Sequence, residues 1–434
     1  MDLVATTICL VNVCLAVMRF RFNARMRRLT SVIWMLSVYF GCILAYMVIA
    51  GPFEHKLGIG GRTIDVTVDV QRDAAIFVLL SNIFLLIGEW IAFSILKQPT
   101  LSRLCPFIDP PTQKLVLPLY GFGLLVSGGI YIATFGGLSY TEYVEYSGAA
   151  WPLVALQWAS PSIVLFVVTR KYMMAFLGIV LFFYISIVSD VRSFLLFSLV
   201  PAVIAFFVIQ MQRRAFVFDQ RSRLFGNSFH EKRFILAILL VIIALGVTFA
   251  VFAKKRTGYV TLPESGLVRG MLVVMAQESD INYSGWITQR YYLYGMLAPF
   301  YKIAGYAAPQ GERTAIQAAS LWFGGRTPNV FQHNPFLWYT DAFISFGFAG
   351  AAIGALWGVV FALSEFLLCR NTITFCLFIP SFVWHAYFVF RGAADNSLLG
   401  YAFWLQCAVL MVLFFSMRSK PPPRAPAVNA TPVI

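Results

Sequence analysis

The chain has 434 residues, 59% of them hydrophobic and only 12% charged, and it carries a net charge of +14. A charged share about half that of a soluble domain, together with 42 Phe and 10 Trp, excludes an ordinary cytosolic enzyme, a disordered chain and a disulfide scaffold. The composition points to an all-α polytopic membrane protein.

A membrane-crossing helix needs roughly 20 mostly apolar residues. About 11 such stretches follow one another: Leu3–Met18, Ser31–Ala50, Ala74–Leu96, Leu115–Phe135, Trp151–Thr169, Met173–Val188, Ser193–Met211, Phe234–Ala253, Phe336–Leu368, Thr372–Phe390 and Leu398–Ser416. Pro118, Pro161, Pro201 and Pro380 predict kinks, which a bundle tolerates. Alternate loops hold 20 of the 33 Lys and Arg residues, beginning with Arg19, Arg21, Arg25, Arg27 and Arg28, against three acids (Asp109, Asp219, Glu231). The positive-inside rule puts that side in the cytoplasm, the N-terminus outside and the C-terminus inside. No basic segment precedes the first span, so no cleavable signal peptide is expected. All seven cysteines fall in spans or on the basic side, so no outer disulfide is expected. The chain reads as one transmembrane domain over 1–416, followed by a Pro/Ala-rich tail, 417–434, of disordered composition.

One connection is long. The outer segment 254–335 places Leu267, Met271, Val274 and Met275 at helical spacing and then gathers Trp286, Tyr291, Tyr292, Tyr294, Phe300 and Tyr301. This predicts two or three interfacial or capping helices. The aromatics fit either a membrane-interface belt or stacking platforms for sugar rings, with Tyr291 and the neighbouring cation Arg290 as the candidate contacts.

Several charges sit where a membrane protein needs a reason for them. In the tight outer turn Ser189-Asp190-Val191-Arg192-Ser193, Asp190 can cap the following span and Arg192 stands at a helix N-terminus. That arrangement suits a diphosphate; the alternative is an interfacial Arg paired with Asp190. Gly324-Gly325-Arg326-Thr327-Pro328 is followed by Gln332-His333-Asn334-Pro335. Asn334 reads as N-cap and Pro335 as the first helical residue, with His333 at the outer mouth and Asp341 roughly 10 Å into the helix. His333 and Asp341 are the candidate general bases; a solvated loop histidine and a structural partner of an Arg are the alternatives. Arg391 and Asp395, between the last two spans, form either a site cation with its neighbour or a local ion pair. Glu89 and Glu365 are intramembrane acids. Glu89 fits a site or a structural hydrogen bond, and Glu365 is close enough to the inner end to reach water. His385 reads as a core histidine. Glu278-Ser279-Asp280 is an acid pair common by chance, so no metal and no cofactor are expected. The basic loops carry no nucleic-acid motif, and topology and anionic lipid account for them.

Gly324-Gly325-Arg326-Thr327-Pro328, Asn334-Pro335-Phe336 and Asp341-Ala342-Phe343-Ile344-Ser345-Phe346-Gly347-Phe348-Ala349-Gly350 together resemble the O-antigen polymerases (Wzy-type), as does the Arg-bearing turn at Asp190–Arg192. The resemblance extends in span count and in the late outer loop over most of the chain. It implies a GT-C-like glycosyltransferase of the bacterial inner membrane with its site facing the periplasm. Such an enzyme joins oligosaccharide repeat units carried on undecaprenyl pyrophosphate, alongside a protein that regulates chain length. Arg192, Arg326, Arg290 and Arg391 would stabilise the pyrophosphate leaving group, and His333 or Asp341 would take the acceptor proton. An O-antigen ligase is the rival within the class. A flippase or transporter of lipid-linked glycans is the rival outside it; that would show repeats and interrupted spans with midplane charge.

Overall fold

In a bilayer a single segment can satisfy its own backbone groups only as a helix, and the apolar runs fold accordingly. The computed structural model describes residues 2–50, 56–59, 62–96, 104, 108–135, 151–188, 194, 198–208, 265–278, 300, 303–304, 337–390 and 397–418. They form α1 (Leu3–Arg25), α2 (Ser31–Ala50), a hairpin of β1 (Lys56–Ile59) and β2 (Arg62–Asp65), α3 (Val68–Ile95), α4 (Pro110–Phe135), α5 (Trp151–Ala159), α6 (Pro161–Val168) and α7 (Tyr172–Val188). Then come α8 (Ser198–Val208), α9 (Ser265–Ala276), α10 (Trp338–Phe346), a 3-10 segment (Gly347–Ala352), α11 (Ile353–Leu368), α12 (Thr372–Phe390) and α13 (Ser397–Arg418). Among the described residues six stretches are long and apolar enough to cross a membrane: Leu3–Arg25, Ser31–Ile49, Val68–Ile95, Pro110–Phe135, Trp151–Val168 and Trp338–Leu368. The expected span Phe234–Ala253 lies outside the described residues.

The differences from the expected spans have local causes. α1 runs on to Arg25, because Arg19–Arg25 contains no Gly or Pro to stop it. Pro161 splits one expected span into α5 and α6, with Ser160 at the junction, since a prolyl nitrogen cannot donate to the preceding turn. The antiparallel hairpin pairs Lys56 with Asp65 and Ile59 with Arg62, and is an addition to the all-helical expectation. The last helix continues to Arg418, beyond the expected boundary at 416. α9 appears where the spacing of Leu267, Met271 and Val274 puts a helix, but it is no surface helix. Val268, Met271, Leu272, Val273 and Val274 are all fully buried, and α9 packs on α2, α3, α10 and β2.

The turn after α1 brings a charge back into the bundle. Arg28 N–H donates to Asn23 O at 2.9 Å and Arg27 N–H to Ala24 O at 3.1 Å, the two bonds of a Schellman ending. Arg27 takes the left-handed position with φ 57°, usually held by Gly. The chain therefore reverses at Arg27 and delivers Arg28 to a buried place. α6 ends in the same way, with Arg170 at φ 63° and Lys171 N–H donating to Phe166 O at 2.8 Å.

α4 begins on a cap. The Asp109 carboxylate accepts from Thr112 N–H at 3.0 Å and from Thr112 Oγ1–H at 2.7 Å, and Pro110 and Pro111 follow it in the first turn, where no backbone donor is needed. Partial burial raises the Asp109 pKa, but the Thr112 hydrogen bonds outweigh it and the net shift is downward. A carboxylate whose folded pKa is depressed stabilises the fold above its unfolded pKa and loses that contribution as pH falls through the folded one. Asp109→Ala is expected to cost about 1 kcal/mol at neutral pH and progressively less in acid, as read by unfolding in detergent at a series of pH values. An equal loss at low and neutral pH would contradict the cap.

Candidate functional site

Of the candidate catalytic and substrate-binding residues, Asp341 is within the described part. Asp190, Arg192, Arg290, Tyr291, Arg326, His333 and Arg391 lie outside it, as do Asn334, Pro335 and Asp395. The helix bearing Asp341 starts at Trp338 with Leu337 at its N-cap, and the expected cap at Asn334 and Pro335 lies outside the described residues. Asp341 therefore stands in the first turn rather than two turns deep. It is 4% exposed, as an ionisable group facing the protein interior should be. Its neighbour Tyr339 donates its hydroxyl to Asn82 Oδ1 at 3.0 Å, and Asn82 Nδ2 donates to Asn12 Oδ1 at 2.8 Å. These bonds tie the start of α10 to the middle of α3 and α1. Trp338, Tyr339 and Phe390 close an aromatic wall beside them, with Tyr339 and Phe390 ring centroids 6.3 Å apart.

The segment after Asp341 interrupts its span. Gly347 takes φ 57° and ψ −143°, a backbone region open essentially to glycine alone. A Cβ on Gly350 would collide with the carbonyl of Ala342. Phe343 and Phe348 flank the break and both pack edge-on against Phe77 of α3, at 5.4 and 5.8 Å. Two glycines permit the break, and two phenylalanines anchor it to α3. Beyond it, α11 runs along α3 with backbone nearly touching backbone. Cβ atoms on Gly88, Gly354 or Gly358 would meet the carbonyls of Ala355, Ser81 and Leu85. Small residues four apart allow such approach in membranes.

A second polar locus forms at the basic end of the bundle. Glu89 is 1% exposed and accepts three hydrogen bonds: from Arg19 Nε at 2.9 Å, Trp34 Nε1 at 2.9 Å and Asn23 Nδ2 at 2.6 Å. Of its two sequence readings, the structural one accounts for all three. Glu365, which the sequence places within reach of water, is also 1% exposed. The turn between α1 and α2 covers it, and Thr30 N–H donates to its Oε2 at 2.9 Å. Asn23 Nδ2 also reaches Thr30 Oγ1 at 3.2 Å, which links the two acids. Arg28 is 6% exposed, and its guanidinium lies 4.0 Å from the Phe93 ring centroid. Burial lowers the Arg28 pKa from its ordinary value, against the attraction of Glu365 and Glu89.

The sequence reading does not single out Arg19, Asn23, Thr30 and Arg28 as partners of these acids. The available signal is the acids themselves, since a buried intramembrane carboxylate requires a donor and a five-arginine loop adjoins the first two spans. Gly354-x-x-x-Gly358 is also legible as a close-packing spacing. His385 packs between Trp357 and Phe361, with ring centroids at 5.8 and 6.2 Å. Among the described residues no three His, Cys, Asp or Glu side chains are grouped to hold a metal. Glu278 is exposed, and Ser279 and Asp280 lie outside the described part. Comparison of the chain with protein-family models, curated proteins and solved structures gives no match.

Proposed function

We propose that the protein is a membrane glycosyltransferase that polymerises oligosaccharide repeat units carried on undecaprenyl pyrophosphate. In this reading the bundle has eleven spans, the basic end is cytoplasmic and the chemistry occurs at the opposite, periplasmic end of the inner membrane. The observation that carries the reading is the environment of Asp341, a buried carboxylate in the first turn of a half-helix whose following Phe-Gly-Phe-Ala-Gly segment breaks the span. That segment is the one whose sequence resembles the polymerases. Asp341 or His333 accepts the acceptor hydroxyl proton, while Arg192, Arg290, Arg326 and Arg391 meet the pyrophosphate that leaves. Asp190 orients Arg192, and Tyr291 supplies a face for a sugar ring. A protein that regulates chain length is the expected partner, and anionic lipid surrounds the basic end.

The interrupted span also favours a second reading, a transporter of lipid-linked glycan, because broken helices with a buried charge are how transporters build midmembrane sites. One experiment separates the two. The purified chain in liposomes is given undecaprenyl-pyrophosphate-linked oligosaccharide. A ladder of longer glycans is the expected product, and movement across the bilayer without a ladder would replace the polymerase by the transporter. Asp341→Asn is expected to lower turnover roughly 100-fold or more, in the range of a lost general base, with normal insertion. A full-rate ladder from Asp341→Asn would move the base to His333, and one from Arg192→Ala would remove Arg192 from the leaving-group site.

A further inference from the structure

The hydrogen bonds at the basic end leave a gap with a definite chemistry. Among the described residues Glu89 has three donors on three different side chains, whereas Glu365 relies on Thr30, whose backbone N–H donates to Oε2. The other Glu365 oxygen, Oε1, is buried with no hydrogen-bond partner among the described residues, and so is Asn23 Oδ1. Thr30 connects the two side chains, giving its N–H to Glu365 and taking an Asn23 N–H on its hydroxyl. A buried carboxylate oxygen without a donor is costly. Arg28 does not fill the gap: its Nε is also buried and unpartnered among the described residues, and its guanidinium faces the Phe93 and Phe22 rings.

We propose that Glu365 is a proton-binding site, in which a proton taken from water at the basic end sits on Oε1. Protonation removes the charge from a buried oxygen that has no donor among the described residues, and the Thr30 bond to Oε2 is kept. When the proton returns to water, Glu365 is again a carboxylate and two glutamates face two arginines. When it is bound, Arg28 is left uncompensated but keeps its cation–π contact. The groups facing Glu365 are Arg28 from the α1–α2 turn, Glu89 from α3 with Arg19 beyond it, and Cys369 at the end of its own helix. From α12, His385 packs higher up, against Trp357 and Phe361. This site stands apart from the proposed glycan chemistry and does not depend on it.

The test is infrared difference spectroscopy of the full chain in lipid bilayers between acid and alkaline pH. The expected result is a carboxylic-acid carbonyl band that disappears on alkalinisation, is missing from Glu365→Gln and returns in Glu365→Asp. Labelling with ¹³C-glutamate should shift the band in the wild-type chain, so assignment to Glu does not depend on the folding of a variant. A wild-type protein with no such band, a band unmoved by the label, or one that persists in Glu365→Gln would overturn the site.

Discussion

Glu89→Ala is expected to destabilise the protein by about 3–5 kcal/mol, because it leaves a partly buried guanidinium without its counter-charge. Arg19 Nε lies 2.9 Å from Glu89 Oε2, and the two side chains are 15% and 2% exposed. Asn23 and Trp34 lose their acceptor in the same step, and an unmade buried hydrogen bond adds to the loss. The measurement is unfolding in mixed micelles by increasing denaturing detergent. Glu89→Gln keeps one acceptor oxygen and should cost less. Arg19→Met in the Glu89→Ala background should recover part of the loss by removing the orphan charge, but not all of it, since Asn23 and Trp34 remain. A double variant no more stable than the single one would show that charge pairing is not what Glu89 contributes.

Gly358→Val is expected to be as damaging, by a different route. The Cβ of any residue at 358 would strike the Leu85 carbonyl, and would come within 2.6 Å of Glu89 N and 3.0 Å of Gly88 C. These are backbone atoms of α3, which cannot rotate away as a side chain can. Overpacking a tight site costs typically about 1–3 kcal/mol, and the upper end of that range, about 3 kcal/mol or more, is expected where backbone must separate. The same separation would spread to the basic-end cluster, because Glu365 lies roughly two turns further along α11. Gly358→Ala should show a milder form of the defect. A Cβ on Gly129 would meet nothing within 4 Å, so Gly129→Ala serves as the neutral comparison. Equal stability of Gly358→Val and Gly129→Ala would refute the close α3–α11 seam.

The chain written out as residues is enough to place most helices. α2 and α12 have the bounds read from composition alone, and α9 is legible in the spacing of Leu267, Met271 and Val274. Hydropathy works here because a helix closes its hydrogen bonds within four residues, so each span is a local decision. The positions of the intramembrane acids and the kink at Pro161 are legible for the same reason. What sequence does not disclose is which distant residue answers which charge. Thr30 meets Glu365 across 335 positions and Arg19 meets Glu89 across 70. The Arg19–Glu89 pair depends on α1 packing on α3, and the Thr30–Glu365 bond on α11 lying against α3 along the glycine seam. The arginine-rich loop after the first span reads in sequence as a topological address. Only the tertiary structure turns Arg19 and Arg28 inward, because the Schellman reversal at Arg27 and the buried acids leave that as the place where opposite charges can meet without water.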